Sequence, residues 1–345
     1  MRFSTATSPH LAVGTSVSQV MRRVLYAMIP GISALVWFFG WGVLVNIAIA
    51  SVVALTTEAI MLIIRDRPVK LYLGDCSALV TAWLLAVALP PLAPWWLTTV
   101  GVAFAIIVAK HLYGGLGYNP FNPAMVGYVV LLISFPLEMS TWLAPQGPGQ
   151  TSLGFTETAQ AILTGQLPPG VTLDAVTAAT PLDAIKTQLS LGRSLDEMIG
   201  VGPVFGMIAG RGWGWIGLGF LAGGLWLIHT RTAAWQIPAA MLGSLVLIAG
   251  IFYAIDPHTY ASPWFHLFSG AALVGAFFIA TDPVSASTTP RGRLVYGAGI
   301  GLLTYIIRSF GGYPDGVAFA VLLMNIAAPT IDYYTQPRIF GARQG

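Results

Sequence analysis

Charged side chains are scarce in this 345-residue chain. Asp, Glu, Lys and Arg together make up 8% of it, against 56% apolar residues, whereas a soluble domain carries about 25% charged residues. So few charges cannot cover the water-facing surface of a globular protein of this size, and the composition places the chain in a bilayer. Cysteine is nearly absent too: Cys76 stands alone. That excludes an internal disulfide and any iron–sulfur cluster held by this chain alone, since such clusters take about four thiolates. A redox cofactor here would be organic or shared with a partner. No Lys/Arg-rich run occurs, so the net charge of +3 gives no footing for DNA or RNA. No two histidines stand at i, i+3 or i+4 beside a carboxylate, so metal-ligand spacing is missing. Neither a nucleophile–base pair nor a nicotinamide-binding Gly-rich turn is present, and no catalytic residue is expected in this chain by itself. The first twenty residues are polar and small, without a signal-peptide pattern.

What the sequence has is long apolar runs. Read against a requirement of ~20 residues per span, they predict ten, at 24–40, 42–64, 77–92, 94–112, 122–137, 212–228, 236–255, 263–280, 293–310 and 316–332. The positive-inside rule then orients them. With the N-terminus inside, Arg2, Arg22, Arg23, Arg65, Arg67, Lys70, Lys110, Arg231, Arg291, Arg293, Arg338 and Arg343 fall on the cytoplasmic side. Only Lys186, Arg193, Arg211 and Arg308 fall outside. The expected organisation is a cytoplasmic segment 1–22, a first five-helix half 23–137, an outer, periplasmic loop 138–211, a second five-helix half 212–335, and a cytoplasmic tail 336–345.

Lys110-His-Leu-Tyr-Gly-Gly-Leu-Gly-Tyr-Asn-Pro after the fourth run echoes Arg308-Ser-Phe-Gly-Gly-Tyr-Pro-Asp-Gly after the ninth. An offset of five reverses orientation, which predicts an inverted five-plus-five repeat. The expected fold is thus an all-α, polytopic membrane protein of about ten transmembrane helices built on that repeat. Such a plan also suits a stand-alone channel or secondary transporter. Ionisable residues within the runs are few. Glu58 is the most deeply embedded, while Lys110, His111, His229 and His266 lie toward span ends.

The most specific local pattern is in the outer loop: Asp174-Ala-Val-Thr177-Ala-Ala-Thr180-Pro181-Leu-Asp183-Ala-Ile-Lys186. Taken locally, Thr180 is a helix N-cap, with Pro181 at the first helical position and Asp183 supplying a capping-box acid. The stretch also resembles the flavinylation motif of the NqrB/RnfD family, with Ala178 where Gly is common. Three further stretches resemble that family: Asn119-Pro-Phe-Asn122-Pro-Ala, Thr281-Asp282-Pro-Val-Ser and Gly311-Gly312-Tyr-Pro-Asp-Gly. They extend the resemblance over about residues 20–335, and the chain looks more like the Rnf branch than the quinone-reductase branch.

The resemblance implies FMN joined through its phosphate to Thr180 by a flavin transferase outside the cytoplasm, with Asp174 and Thr177 as residues the transferase recognises. It implies a flavin pocket near the outer boundary made from Asn119, Asn122, Arg308, Gly311 and Gly312, and it raises riboflavin as a second flavin. It further implies an inner-membrane electron-transfer subunit of an Rnf-type complex, working with the A, B, C, E and G subunits, and especially with G, the second FMN carrier. Such a complex couples electron transfer between ferredoxin and NAD to movement of Na⁺ or H⁺. The charge count independently puts Thr180 on the side where that transferase works.

Overall fold

The computed structural model describes residues 16–146, 153–193, 195 and 209–336. Residues before 16, those after 336 and parts of the expected outer loop lie outside the described residues. In chain order the helices of the first part are α1 (Val17–Phe39), α2 (Gly42–Ile64), α3 (Val69–Leu73), α4 (Ser77–Ala86), α5 (Trp95–Phe104), α6 (Pro123–Ser134) and α7 (Pro136–Ser140). A short strand β1 (Trp142–Leu143) follows, then α8 (Phe155–Thr164), α9 (Leu173–Val176), strand β2 (Thr177–Ala178) and α10 (Pro181–Ser190). The remainder is α11 (Trp213–His229), α12 (Gln236–Ile255), α13 (Pro263–Phe268), α14 (Ala272–Val274), α15 (Pro290–Phe310) and α16 (Val317–Thr335). Both α5 and α14 run on as π-helical turns, over Ala105–His111 and Gly275–Ile279.

The fold is all-α apart from one two-residue ladder, but the expectation of about ten spans is overturned. Among the described residues four helices, α1, α2, α12 and α16, are long and apolar enough to cross a membrane. The other apolar runs are interrupted by backbone that cannot continue a helix. The run 77–92 stays helical only to Ala86, ahead of Pro90-Pro91, and 263–280 is divided among α13, α14 and a π turn. A ten-residue helix rises about 15 Å, half of a ~30 Å hydrocarbon layer. Helix α15 has the length, but it carries Arg291, Arg293 and Arg308. Hydropathy counts side chains; it does not count where the backbone breaks.

The inverted five-plus-five repeat is not borne out either. Gly114 and Gly115 have φ of +125° and +95°, a conformation glycine adopts readily, whereas Gly311 is extended at φ −82°. The two Gly-Gly pairs therefore turn the chain differently. Their preceding cations also differ in partner: Lys110 meets Glu58, and Arg308 meets Asp315.

The helices pack as close pairs, α1 on α11 and α12 on α15, with α2 against α4 and α5. Glycine makes this possible. A Cβ on Gly223 would sit 1.8 Å from the Ala27 carbonyl oxygen, and one on Gly301 would sit 2.1 Å from that of Met241. Small residues let backbones touch where lipid gives little apolar driving force. The core includes Met28, Leu85, Leu97, Ile106 and Leu131, all fully enclosed. The outward faces are apolar as well. Leu247, Ile251 and Ile255 form an exposed stripe at four-residue spacing on α12, and Trp37, Trp215 and Trp264 are exposed aromatics of the kind that populate membrane–water boundaries. An apolar exterior around an apolar core marks a multi-pass membrane protein.

Replacing Gly223 by Val is expected to force α1 and α11 apart and to lower the unfolding midpoint in detergent, at a cost of about 1–3 kcal/mol or more. Gly243→Ala, where a Cβ meets nothing within 4 Å, should instead raise it slightly, by about 0.5–1 kcal/mol. Scanning fluorimetry of the two purified variants checks both signs.

Candidate functional site around Thr180

Thr180 is delivered by the only ladder among the described residues. Trp142 pairs with Ala178 and Leu143 with Thr177, antiparallel, and the Ala144 amide donates to the Val176 carbonyl at 2.9 Å. Two residues beyond β2 the chain enters α10 with Thr180 as its N-cap. Thr180 Oγ1 accepts from the Asp183 amide at 3.3 Å, and Pro181 occupies the first helical position. Pro181 is seated directly against Gly210, where a Cβ would lie 1.9 Å from its Cγ. The local reading of Thr-Pro-Leu-Asp as a helix start is what forms.

Thr180 and Asp183 stand in the wall of a cavity of about 370 Å³. Its other walls come from α4 (Leu84) and its C-cap Val87, α6 (Met125, Tyr128), α11 (Trp213, Ile216), the 267–279 segment and the Gly312–Ala318 segment. Trp142 and Trp213 meet with ring centroids 5.5 Å apart, and both rings contact Phe39 edge-on at 5.7 and 5.6 Å. The lining is thus mostly apolar and aromatic. Its polar side chains include Thr180, Asp183, Tyr128, Ser140 and Asp315.

The rim at Asp315 is built around an enclosed cation. Arg308, 1% exposed in its side chain, donates from Nη1 to the His266 carbonyl at 2.6 Å and from Nη2 to that of Ser269 at 3.1 Å; its Nε and Nη2 both reach Asp315 Oδ1 at 3.1 Å. Asp315 in turn accepts from the amides of Ala271 at 2.7 Å and Val317 at 3.2 Å. Lys186, on α10, donates to three carbonyls of the same turn: Arg308 at 3.5 Å, Tyr313 at 2.9 Å, and Gly311 in a shorter contact. Partial burial pushes the Asp183 carboxyl up from the ordinary carboxylate range, with Lys186 partly offsetting this, and pushes the Lys186 amine down.

The residues expected to form one flavin pocket are distributed over two places. Gly312 joins Thr180 in the large cavity, while Gly311 contributes its carbonyl to Lys186 and Arg308 is committed to Asp315. Asn119 and Asn122 line a second, separate cavity of about 70 Å³, together with Ser77, Lys110 and Asp282. There Asn122 Oδ1 caps α6 by accepting from the Met125 amide, its Nδ2 donates to the Ile279 carbonyl, and its backbone amide donates to Asn325 Oδ1. Asn119 donates to the Phe121 carbonyl. Beside this cavity Lys110 Nζ lies 2.8 Å from both Glu58 oxygens and from Ser77 Oγ, and His111 Nε2 lies 3.1 Å from Glu58. Arg65 Nη1 reaches His111 Nδ1 at 3.2 Å. Asp174 is exposed in α9, and Thr177 Oγ1 donates to the Leu173 carbonyl at 2.9 Å. Among the described residues no group of three or more His, Cys, Asp or Glu is placed to hold a metal.

Sequence reasoning did not single out Trp142, Trp213, Tyr128, Lys186 or Asp315 as parts of the site. Asp315 carried a readable signal, since it sits within the Gly-Gly-Tyr-Pro-Asp-Gly motif. The two tryptophans converge from opposite ends of the long loop, and nothing local announces that.

Fold and site define a helical, multi-pass membrane protein with a ligand-sized cavity closed by a loop helix. The sequence profile of the NQR2, RnfD, RnfE family matches residues 4–341. The chain is 52% identical over 353 residues to the D subunit of the ion-translocating oxidoreductase complex of Escherichia fergusonii, and 51% identical over 352 residues to the protein of the same name in Shigella dysenteriae serotype 1. Both comparisons cover 100% of each chain. The chain belongs to the NQR2, RnfD, RnfE family, in agreement with the resemblance carried by its motifs.

Two outcomes test the rim. Arg308→Met leaves Asp315 facing buried carbonyls and is expected to cost about 3–5 kcal/mol, read as a lowered unfolding midpoint in detergent. Asp183→Asn should protect the α10 amides from hydrogen exchange better than wild type at neutral pH. Because folding raises the Asp183 pKa, wild type is at its relative best below the unfolded value and loses ground as pH rises through the folded one. The gap between the two proteins should therefore close on acidification.

Proposed function

We propose that this chain is the membrane-embedded electron-transfer subunit of an Rnf-type, ion-translocating oxidoreductase, and that it carries FMN in phosphoester linkage on Thr180. The observation that carries the proposal is the position of Thr180: an N-cap hydroxyl in the wall of a 370 Å³ cavity lined largely by apolar and aromatic side chains. That volume lies within the range of about 300–1,000 Å³ of small-molecule sites. The aromatic floor suits a flat ring, and the rim suits a tether.

The residues fit the group in charge as well as in size. The first turn of α10 presents backbone amides, and helix N-termini favour anions. Once Thr180 Oγ1 is esterified, the Asp183 amide it accepts from is free to bind a phosphate oxygen. FMN supplies the redox chemistry when bound. Trp142, Trp213 and Tyr128 exclude water from the cavity, and Gly312, whose missing side chain faces open space, leaves room beside the rim. Asp174, exposed, and Thr177, three residues before Thr180, are the proposed contacts of the flavin transferase.

The subunit is not expected to catalyse a reaction alone. In this proposal it sits in the inner membrane, termini cytoplasmic and Thr180 outside, and helps couple electron transfer between ferredoxin and NAD to movement of Na⁺ or H⁺ together with the A, B, C, E and G subunits. Support comes from family membership and from relatives named as subunits of an ion-translocating oxidoreductase complex. The second cavity, at about 70 Å³, is much smaller than the first, and the proposal assigns it no flavin. The channel or transporter alternative rested on ten spans with an inverted repeat, and the described residues form four long apolar helices without that repeat.

Co-expression with a flavin transferase should give a fluorescent band on a denaturing gel that Thr180→Val abolishes. A dark wild-type band, with the transferase active on a control substrate, would overturn the attachment.

A further inference from the structure

The Gly-Gly-Tyr-Pro-Asp-Gly turn was expected to touch flavin. The geometry points to a different use: we infer that residues 311–315 form a socket for α10, with Lys186 as the positioning residue that holds the flavin-bearing helix over the cavity. The inference rests on the flavin reading only for what α10 carries; the socket itself is a contact within this chain.

Four observations converge on it. Lys186 Nζ is directed at the carbonyls of Arg308, Gly311 and Tyr313, where α15 ends and leaves carbonyls without helical partners. An ammonium group has three protons to donate and needs three acceptors when withdrawn from water; the turn supplies that number. The turn is in turn held rigid from behind, because Arg308 and Asp315 fasten it to the α13–α14 junction through His266, Ser269 and Ala271. Finally, Leu182 and Ile185, on the same helix as Lys186, pack with Ala261 and Phe265, and Leu182 rests over Gly270, where a Cβ would meet it at 2.6 Å.

Helix α10 has only ten residues, too few to be stable in water by itself. Its apolar contacts hold one face, but small apolar patches are non-directional. Lys186 is the directional contact. It lies six residues from Thr180, about 9 Å along the axis, so fixing its ammonium fixes the rotation and the slide of the helix. Those two coordinates place the Thr180 oxygen at the cavity rim. Electron tunnelling falls steeply with distance, so a tethered ring is useful only if its anchor does not wander. The charged group that acts on Lys186 is Asp183 on its own helix. Asp183 attracts the ammonium, and the three carbonyls accept from it.

The test uses the full chain in a Cys76→Ser background, with a nitroxide on Thr187→Cys, the exposed neighbour of Lys186. Lys186→Met keeps the stem and removes the donors; Lys186→Arg keeps donors. The expected result is a label that is immobilised in wild type, mobile in the Met variant and immobilised again in the Arg variant. With transferase co-expressed, the tethered flavin of Lys186→Met should keep its in-gel fluorescence and lose fluorescence anisotropy. An unchanged label spectrum in Lys186→Met would overturn the socket. If Lys186→Met is not recovered as monodisperse protein, Lys186→Gln is read in its place, by the same criterion. A wild-type chain without tethered flavin would defeat the proposed function alone, because the nitroxide spectra report on α10 whether or not it bears a cofactor.

Discussion

The rim of the large cavity depends on one ion pair, between an enclosed Arg308 and a part-buried Asp315. Arg308 and Asp315 are seven residues apart in sequence, across a turn that reverses the chain between α15 and α16. Each also satisfies groups that would otherwise be orphaned: the carbonyls at 266 and 269, and the amides of Ala271 and Val317. A paired charge withdrawn from water is tolerated when its remaining donors and acceptors are filled, and here the surrounding backbone fills them. Everything at the rim is referred to that pair: the turn, the carbonyls it offers Lys186, and through Lys186 the helix that begins at Thr180.

The membrane part obeys a different constraint. Its long helices lie against one another at glycine, and its short ones stop well before they reach spanning length. A broken helix at membrane depth has to satisfy its free backbone groups on protein. Asn122 and Asn325 do so for the junction between α6 and the π-helical turn after α14, and Asn46 does so for the carbonyls of Pro90 and Pro91 at 3.1 and 3.2 Å. The short segments are thereby integrated into the core instead of spanning it independently.

This division explains what could be read from the residues in advance. Membrane residence follows from charge content, and the start of α10 follows from Thr-Pro-Leu-Asp, because a cap is a three-residue interaction. The family follows from four motifs. The number of long spans could not be read, because an apolar run looks alike whether its backbone is one helix or three. The grouping of Asn119 and Asn122 with Arg308 and Gly312 also failed to appear, since motifs that echo each other in sequence carry no information on which cavity they line. Lys186 looked like one more loop cation. Its three carbonyl partners belong to a turn more than a hundred residues away, and backbone acceptors leave no trace in a residue pattern.

The cluster at the smaller cavity orients one imidazole. Arg65 has only donors to offer, so it donates to the His111 Nδ1 that it reaches at 3.2 Å, while Nε2 lies 3.1 Å from Glu58. Arg65 also reaches the His111 carbonyl at 3.4 Å. One guanidinium at the C-terminal end of α2 therefore holds both the ring and the backbone of His111, and the π-helical turn that carries Lys110 and His111 is clasped to the helix that carries Glu58.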